Sequence, residues 1–200
     1  MTLVEVMVAS VILLMIAGAS YLILINGMQL YRAYQDAIDA QQSGMNTLRQ
    51  VGDLMKASSG ALINTDPADG VEFANPYKND GRMGFDTVVG SPTEGKLLWQ
   101  KYTCIYRDPV TKNVLRKDSP ITPAKTVVPN PLTAMPPRDL ASFIALNVPK
   151  RILGTGVNLF RVYPDPLGAG NTYIIEIEVG DMNDTGRYGL QLKSQVTPRN

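Results

Sequence analysis

Residues Val6 to Ile25 run for twenty positions without a charge. As a helix rising about 1.5 Å per residue, that stretch covers roughly 30 Å, the thickness of a bilayer core. A helix in a soluble domain needs one apolar stripe, whereas this segment is apolar on every side. Three roles compete for it. A cleavable secretory signal wants a basic leader and a shorter apolar core. No Lys or Arg precedes this run, although Ala17-Gly18-Ala19 resembles a cleavage site. A plain membrane anchor is the second role. The third is a helix that exchanges lipid for the helices of other subunits.

Glu5 separates these roles, because it stands directly against the apolar run. A carboxylate near a bilayer interior costs about 2.5–3.5 kcal/mol on insertion scales, so it needs a partner or a task. It can complement the dipole at a helix N-terminus, or it can pair with an amine on a neighbouring subunit. The segment Met1-Thr2-Leu3-Val4-Glu5-Val6-Met7-Val8-Ala9 resembles the mature N-terminus of type IV pilins, minor pilins and type II secretion pseudopilins. The resemblance implies cleavage by a prepilin peptidase, methylation of Met1, Glu5 as the assembly residue, and delivery to an assembly platform. The first basic residue is Arg32. Taken literally, the positive-inside rule then places the C-terminal side in the cytoplasm. Removal of a basic leader resolves that conflict, so the expectation is that the sequence is the mature form. The chain departs from the major type IVa pilins in one respect. They carry a proline in the apolar helix, whereas here Leu22 lies in it and the first proline is Pro67.

Beyond Ile25, Leu30, Tyr34, Ile38, Met45, Leu48, Val51, Leu54 and Met55 recur at mostly helical spacing, with charged residues between them. This predicts an amphipathic continuation whose stripe packs on a sheet, stopping near Ser58-Ser59-Gly60. The expected organisation is an apolar helix over 1–25, its amphipathic continuation over 26–58, and a β-rich head over 59–200.

In the head, 61–95 reads as a long loop rich in turn residues, with a short strand at Phe85–Val89. Lys96–Arg107 and Asn113–Lys117 read as a hairpin, and Asp139–Leu146 as a short helix. Val157–Tyr163, Tyr173–Val179 and Arg187–Val196 read as further strands. Six prolines between 119 and 137 argue against regular structure there. The expected fold class is α+β, a long helix packed on an antiparallel sheet of four or five strands, as the resemblance also implies. The Trp99–Arg107 strand, Val114-Leu115-Arg116 and Val157–Tyr163 bear a looser similarity to J-type pseudopilins and W-type minor pilins.

The chemistry of the head is sparse. The chain has no histidine, which removes the commonest general base and metal ligand. Its single cysteine, Cys104, excludes an intramolecular disulfide and reads as a buried strand residue. No phosphate loop is present, and no enzyme activity or cofactor is expected. Asp181-Met182-Asn183-Asp184-Thr185-Gly186 places oxygens of Asp181, Asn183 and Thr185 at calcium-loop spacing, but Leu192 stands where the closing acid belongs. A hairpin turn explains the same residues, so calcium is the minor alternative. Glu176 and Glu178 share a strand face that reads as solvated. The net charge of +1, from 19 basic and 18 acidic residues, gives no global drive toward nucleic acid. Lys101, Tyr102, Tyr106, Arg107, Arg116 and Lys117 mix cations with aromatics, but alternation divides them between two faces. The expected function is therefore structural. The chain is a filament subunit, held in the inner membrane before assembly and then placed in an extracellular or periplasmic filament with copies of itself or with other subunits. A low-copy subunit at the filament tip, acting in priming, secretion, adhesion or DNA uptake, is the alternative.

Overall fold

The computed structural model describes residues 2–58, 63–66, 70–78, 81–127, 140–145, 147–168, 171–180 and 189–198. The chain divides into two compact units, Met1–Asp39 and Ala40–Asn200. One helix, α1 (Leu3–Lys56), supplies nearly all of the first unit and the opening segment of the second.

The first unit is helix alone. Its large apolar side chains are exposed all along it, from Leu3 at 80% to Ile38 at 51%. Ser10 turns its hydroxyl back to the Val6 carbonyl at 2.8 Å, which satisfies a polar group inside an apolar surface.

The second unit is a helix packed on two antiparallel sheets, which bears out the α+β class. The strands are β1 (Asn64–Asp66), β2 (Gly70–Asn75), β3 (Trp99–Asp108), β4 (Asn113–Lys125), β5 (Lys150–Gly154), β6 (Val157–Pro164), β7 (Tyr173–Val179) and β8 (Leu190–Val196). The first five form one sheet in sequence order, and the last three form another. The expectation was one sheet of four or five strands. The switch between sheets falls at Thr155-Gly156, where Gly156 takes φ +69°, a left-handed conformation that costs an L side chain strain. The corner is tied down from both sides. The Val157 N–H donates to the Lys112 carbonyl at 2.8 Å, and Arg107 Nε donates to the Val157 carbonyl at 2.8 Å.

Between the sheets lies one core. Val71, Phe73, Ile105 and Val114 face Val157, Phe160, Val162, Ile175 and Ile177, and α1 adds Leu48, Val51 and Met55. The opposite face of the five-stranded sheet is covered by α2 (Leu140–Ala145), where Phe143 packs on Cys104, Tyr106 and Leu115.

Two glycines let the helix come this close. A Cβ on Gly44 would lie 2.7 Å from Leu192 and 3.0 Å from Val179. A Cβ on Gly154 would collide with Thr47, whose hydroxyl donates to the Ser43 carbonyl at 2.8 Å and lies 3.3 Å from the Leu153 carbonyl. The predicted stripe is therefore buried only in part. Leu48, Val51 and Met55 are buried, whereas Leu30, Tyr34, Ile38 and Met45 are more than half exposed. Leu30, Tyr34 and Ile38 belong to the first unit, and at the level of Met45 the helix turns Gly44 and Thr47 to the sheets instead, with Leu48, Val51 and Met55 carrying the contact further along. Helix α1 ends at Lys56, and Ser58 closes it, its N–H and hydroxyl both donating to the Met55 carbonyl at 3.0 and 2.6 Å.

Strand β5 is an outer strand of its sheet, paired among the described residues with β4 alone, through Val114–Lys117. Lys150, Arg151 and Ile152 on it are exposed.

Candidate functional site

Two places carry unexplained chemistry, and each lies within one of the units. The first is the N-terminal end of α1. The Thr2 N–H donates to Glu5 Oε2 at 2.8 Å, and the Glu5 N–H lies 3.4 Å from Thr2 Oγ1. This is a reciprocal capping box. It satisfies two N–H groups that have no partner in the first turn of a helix, and the carboxylate also suits the helix dipole. The Thr-x-x-Glu spacing announces that motif, and reading Glu5 only for its charge missed it. Met1 lies outside the described residues. Past Glu5 the apolar surface begins, and α1 is long and apolar enough to cross a membrane by length and composition. The helix is therefore compatible with membrane anchoring.

The second place is on the inner face of the five-stranded sheet, at the end that the apolar core leaves open. Asp118 of β4 accepts from Arg116 at 2.7 and 2.9 Å and from the Thr103 hydroxyl at 2.9 Å, and Lys101 Nζ stands 3.1 Å away. Asn75 Nδ2 lies 3.3 Å from the same Thr103 hydroxyl. The network crosses β2, β3 and β4 in register. Burial pushes the Asp118 carboxyl up, but the Arg116 hydrogen bond and charge, the Lys101 charge and the Thr103 hydroxyl outweigh it and hold the group below the usual aspartate range. A cleft of about 600 Å³ opens beside this network, with Tyr77, Lys78, Lys101, Arg116, Asp118 and Arg151 among its walls.

The mixed patch of the first hairpin does divide. Lys101, Arg107 and Arg116 lie on the inner face, and Tyr102, Tyr106 and Lys117 on the face that α2 covers. Lys117 is buried there. Its ammonium donates to the Ile144 carbonyl and sits 5.9 Å from the centre of the Tyr106 ring. Cys104 is fully buried between Glu72 and Lys117 in the strand register. Burial pushes its thiol up, and the Glu72 charge adds to this against Lys117. Such a thiol is not a ready nucleophile.

Glu176 corrects the expectation of a solvated face. It is 7% exposed, bridged to Lys193 at 3.2 Å and hydrogen-bonded by Gln191. Asp181, Asn183 and Thr185, the calcium candidates, lie outside the described residues.

No family model matches this chain, and neither a curated protein nor a solved structure does.

Proposed function

We propose that this chain is a structural subunit of a type IV pilus-like filament, polymerising through α1. The observation that carries the reading is the helix surface from Leu3 to Leu24, where the large apolar side chains stand exposed and no charge follows Glu5. Each such Val, Leu, Ile or Met left in water forgoes about 1.5–3 kcal/mol, so the segment requires a covering of lipid or of other helices. Before assembly the inner membrane covers it. In the filament, copies of the same helix or those of other subunits replace the lipid. Lipid is as apolar as the helices, so association is driven by packing and polar pairing rather than by burial from water. Glu5 supplies the polar pairing with the N-terminal amine of a neighbouring copy. The capping box engages Oε2, and a carboxylate accepts through both oxygens, so the cap and the pairing are compatible.

A low-copy role at the tip is the second reading. It is favoured by the unbroken helix, which runs through Leu22 without a proline. Both readings place Met1 as the processed and methylated residue and imply a prepilin peptidase. The decisive experiment is Glu5→Gln and Glu5→Ala in the source cell, with sheared surface material examined by electron microscopy and quantitative mass spectrometry. Loss of filaments with the head still folded is the expected result. Wild-type filament yield from both variants would sink the Glu5 mechanism, and copy number in the wild-type material separates the main subunit from the tip subunit.

A further inference from the structure

We propose that the cleft beside the Asp118 network binds a dianionic phosphate group carried on a small molecule, with Arg151 and Lys78 as the cations that hold it. The inference does not depend on the filament reading. Its first support is charge. Lys78, Lys101, Arg116 and Arg151 line the cleft against a single described carboxylate, Asp118. Asp118 is already taken by Lys101 and Arg116. Arg151 and Lys78 have no ion pair with any described residue, so the cleft has cationic capacity to spare.

The second support is register. Arg116 and Arg151 stand directly opposite each other on β4 and β5. Like charges in that position repel, and an anion between them removes the repulsion. An outer strand also uses cations to repel other strands, but that task is served along the edge. Arg151 lines the cleft beside Arg116 instead.

The third support is size. About 600 Å³ lies within the range of small-molecule sites, and arginine's planar fork suits phosphate oxygens. A dianion matches the two uncommitted cations better than a single carboxylate does.

The test uses the full chain in maltoside micelles, which carry no phosphate, titrated calorimetrically with inorganic phosphate, glycerol phosphate and acetate at fixed ionic strength. Saturable binding of a phosphate at least tenfold tighter than acetate is expected. A preference for glycerol phosphate identifies an ester as the source, and equal or tighter binding of inorganic phosphate identifies the free ion. Arg151→Gln and Lys78→Gln should each weaken binding at least fivefold. Both side chains are exposed, so the melting temperature should stay at the wild-type value. Arg161→Gln, an exposed cation on β6 away from the cleft, should leave affinity unchanged. The absence of saturable binding, equal binding of acetate, or an equal loss in the Arg161 variant would each overturn the site.

Discussion

Asp118 is one carboxylate held by three side chains, and the two cations among them are nearly out of water. The side chain of Lys101 is 9% exposed and that of Arg116 13%. Removing the acid strands both charges, so Asp118→Asn should cost about 3–5 kcal/mol, read as a fall in the melting temperature at neutral pH. The pH dependence follows from the direction of the shift. Because the folded-state value is lowered, the stabilisation is present in full above the ordinary aspartate range. It is lost as pH falls through the lower folded value. Melting curves of wild type and Asp118→Asn should therefore differ most near neutrality and converge in acid. A constant gap across the whole range would show that Asp118 acts through packing alone. Tyr106 and Tyr173 are both shifted upward by burial, so neither contributes to this acid limb.

Helix α1 meets β5 where Gly154 leaves room for Thr47. Gly154→Ala forces the helix or the strand to move, and overpacking of this kind costs about 1–3 kcal/mol. The expected readout is a lower midpoint in chemical denaturation, partly recovered by Thr47→Ala in the double variant. An additive double variant would refute the contact. The long helix was legible in the sequence because its apolar pattern is long, strands β3, β6, β7 and β8 because apolar residues, most of them β-branched or aromatic, recur between turn residues, and the short α2 falls within the bounds expected for it. Strand β2 was missed. Its six residues are all buried, but Val71-Glu72-Phe73 alternates for only three positions, and Asp66-Pro67 before it and Asn75-Pro76 after it read as turns. Contrary to the expectation from its prolines, β4 runs through Pro120 and Pro123 to Lys125. Beyond Lys117 its far side has no partner strand among the described residues, so a missing N–H there costs no ladder bond. Strand β5 was hidden because Lys150-Arg151 reads as charge rather than as strand. Neither the Arg116–Arg151 pairing nor the cleft was legible, since both arise from the register between strands far apart in sequence.

At the scale of the whole chain, the two units call for different solvents. The head has its own core, to which α1 contributes only residues from Ala40 onward. A chain starting at Ala40 should remain monomeric and fold cooperatively in plain buffer, whereas the full chain should require detergent. Size-exclusion chromatography with light scattering and a circular-dichroism melt would check this, and an unfolded or aggregated short chain would show that the first 39 residues are needed by the head. The charged outer strand bears on what happens when many such heads are crowded together. Two β5 edges approaching antiparallel would bring the exposed Lys150 ammonium groups of the two copies together, while their backbone groups tried to pair. Electrostatic refusal at that edge keeps neighbouring heads from knitting into a shared ribbon, so local density can rise steeply without each fold losing its separate identity.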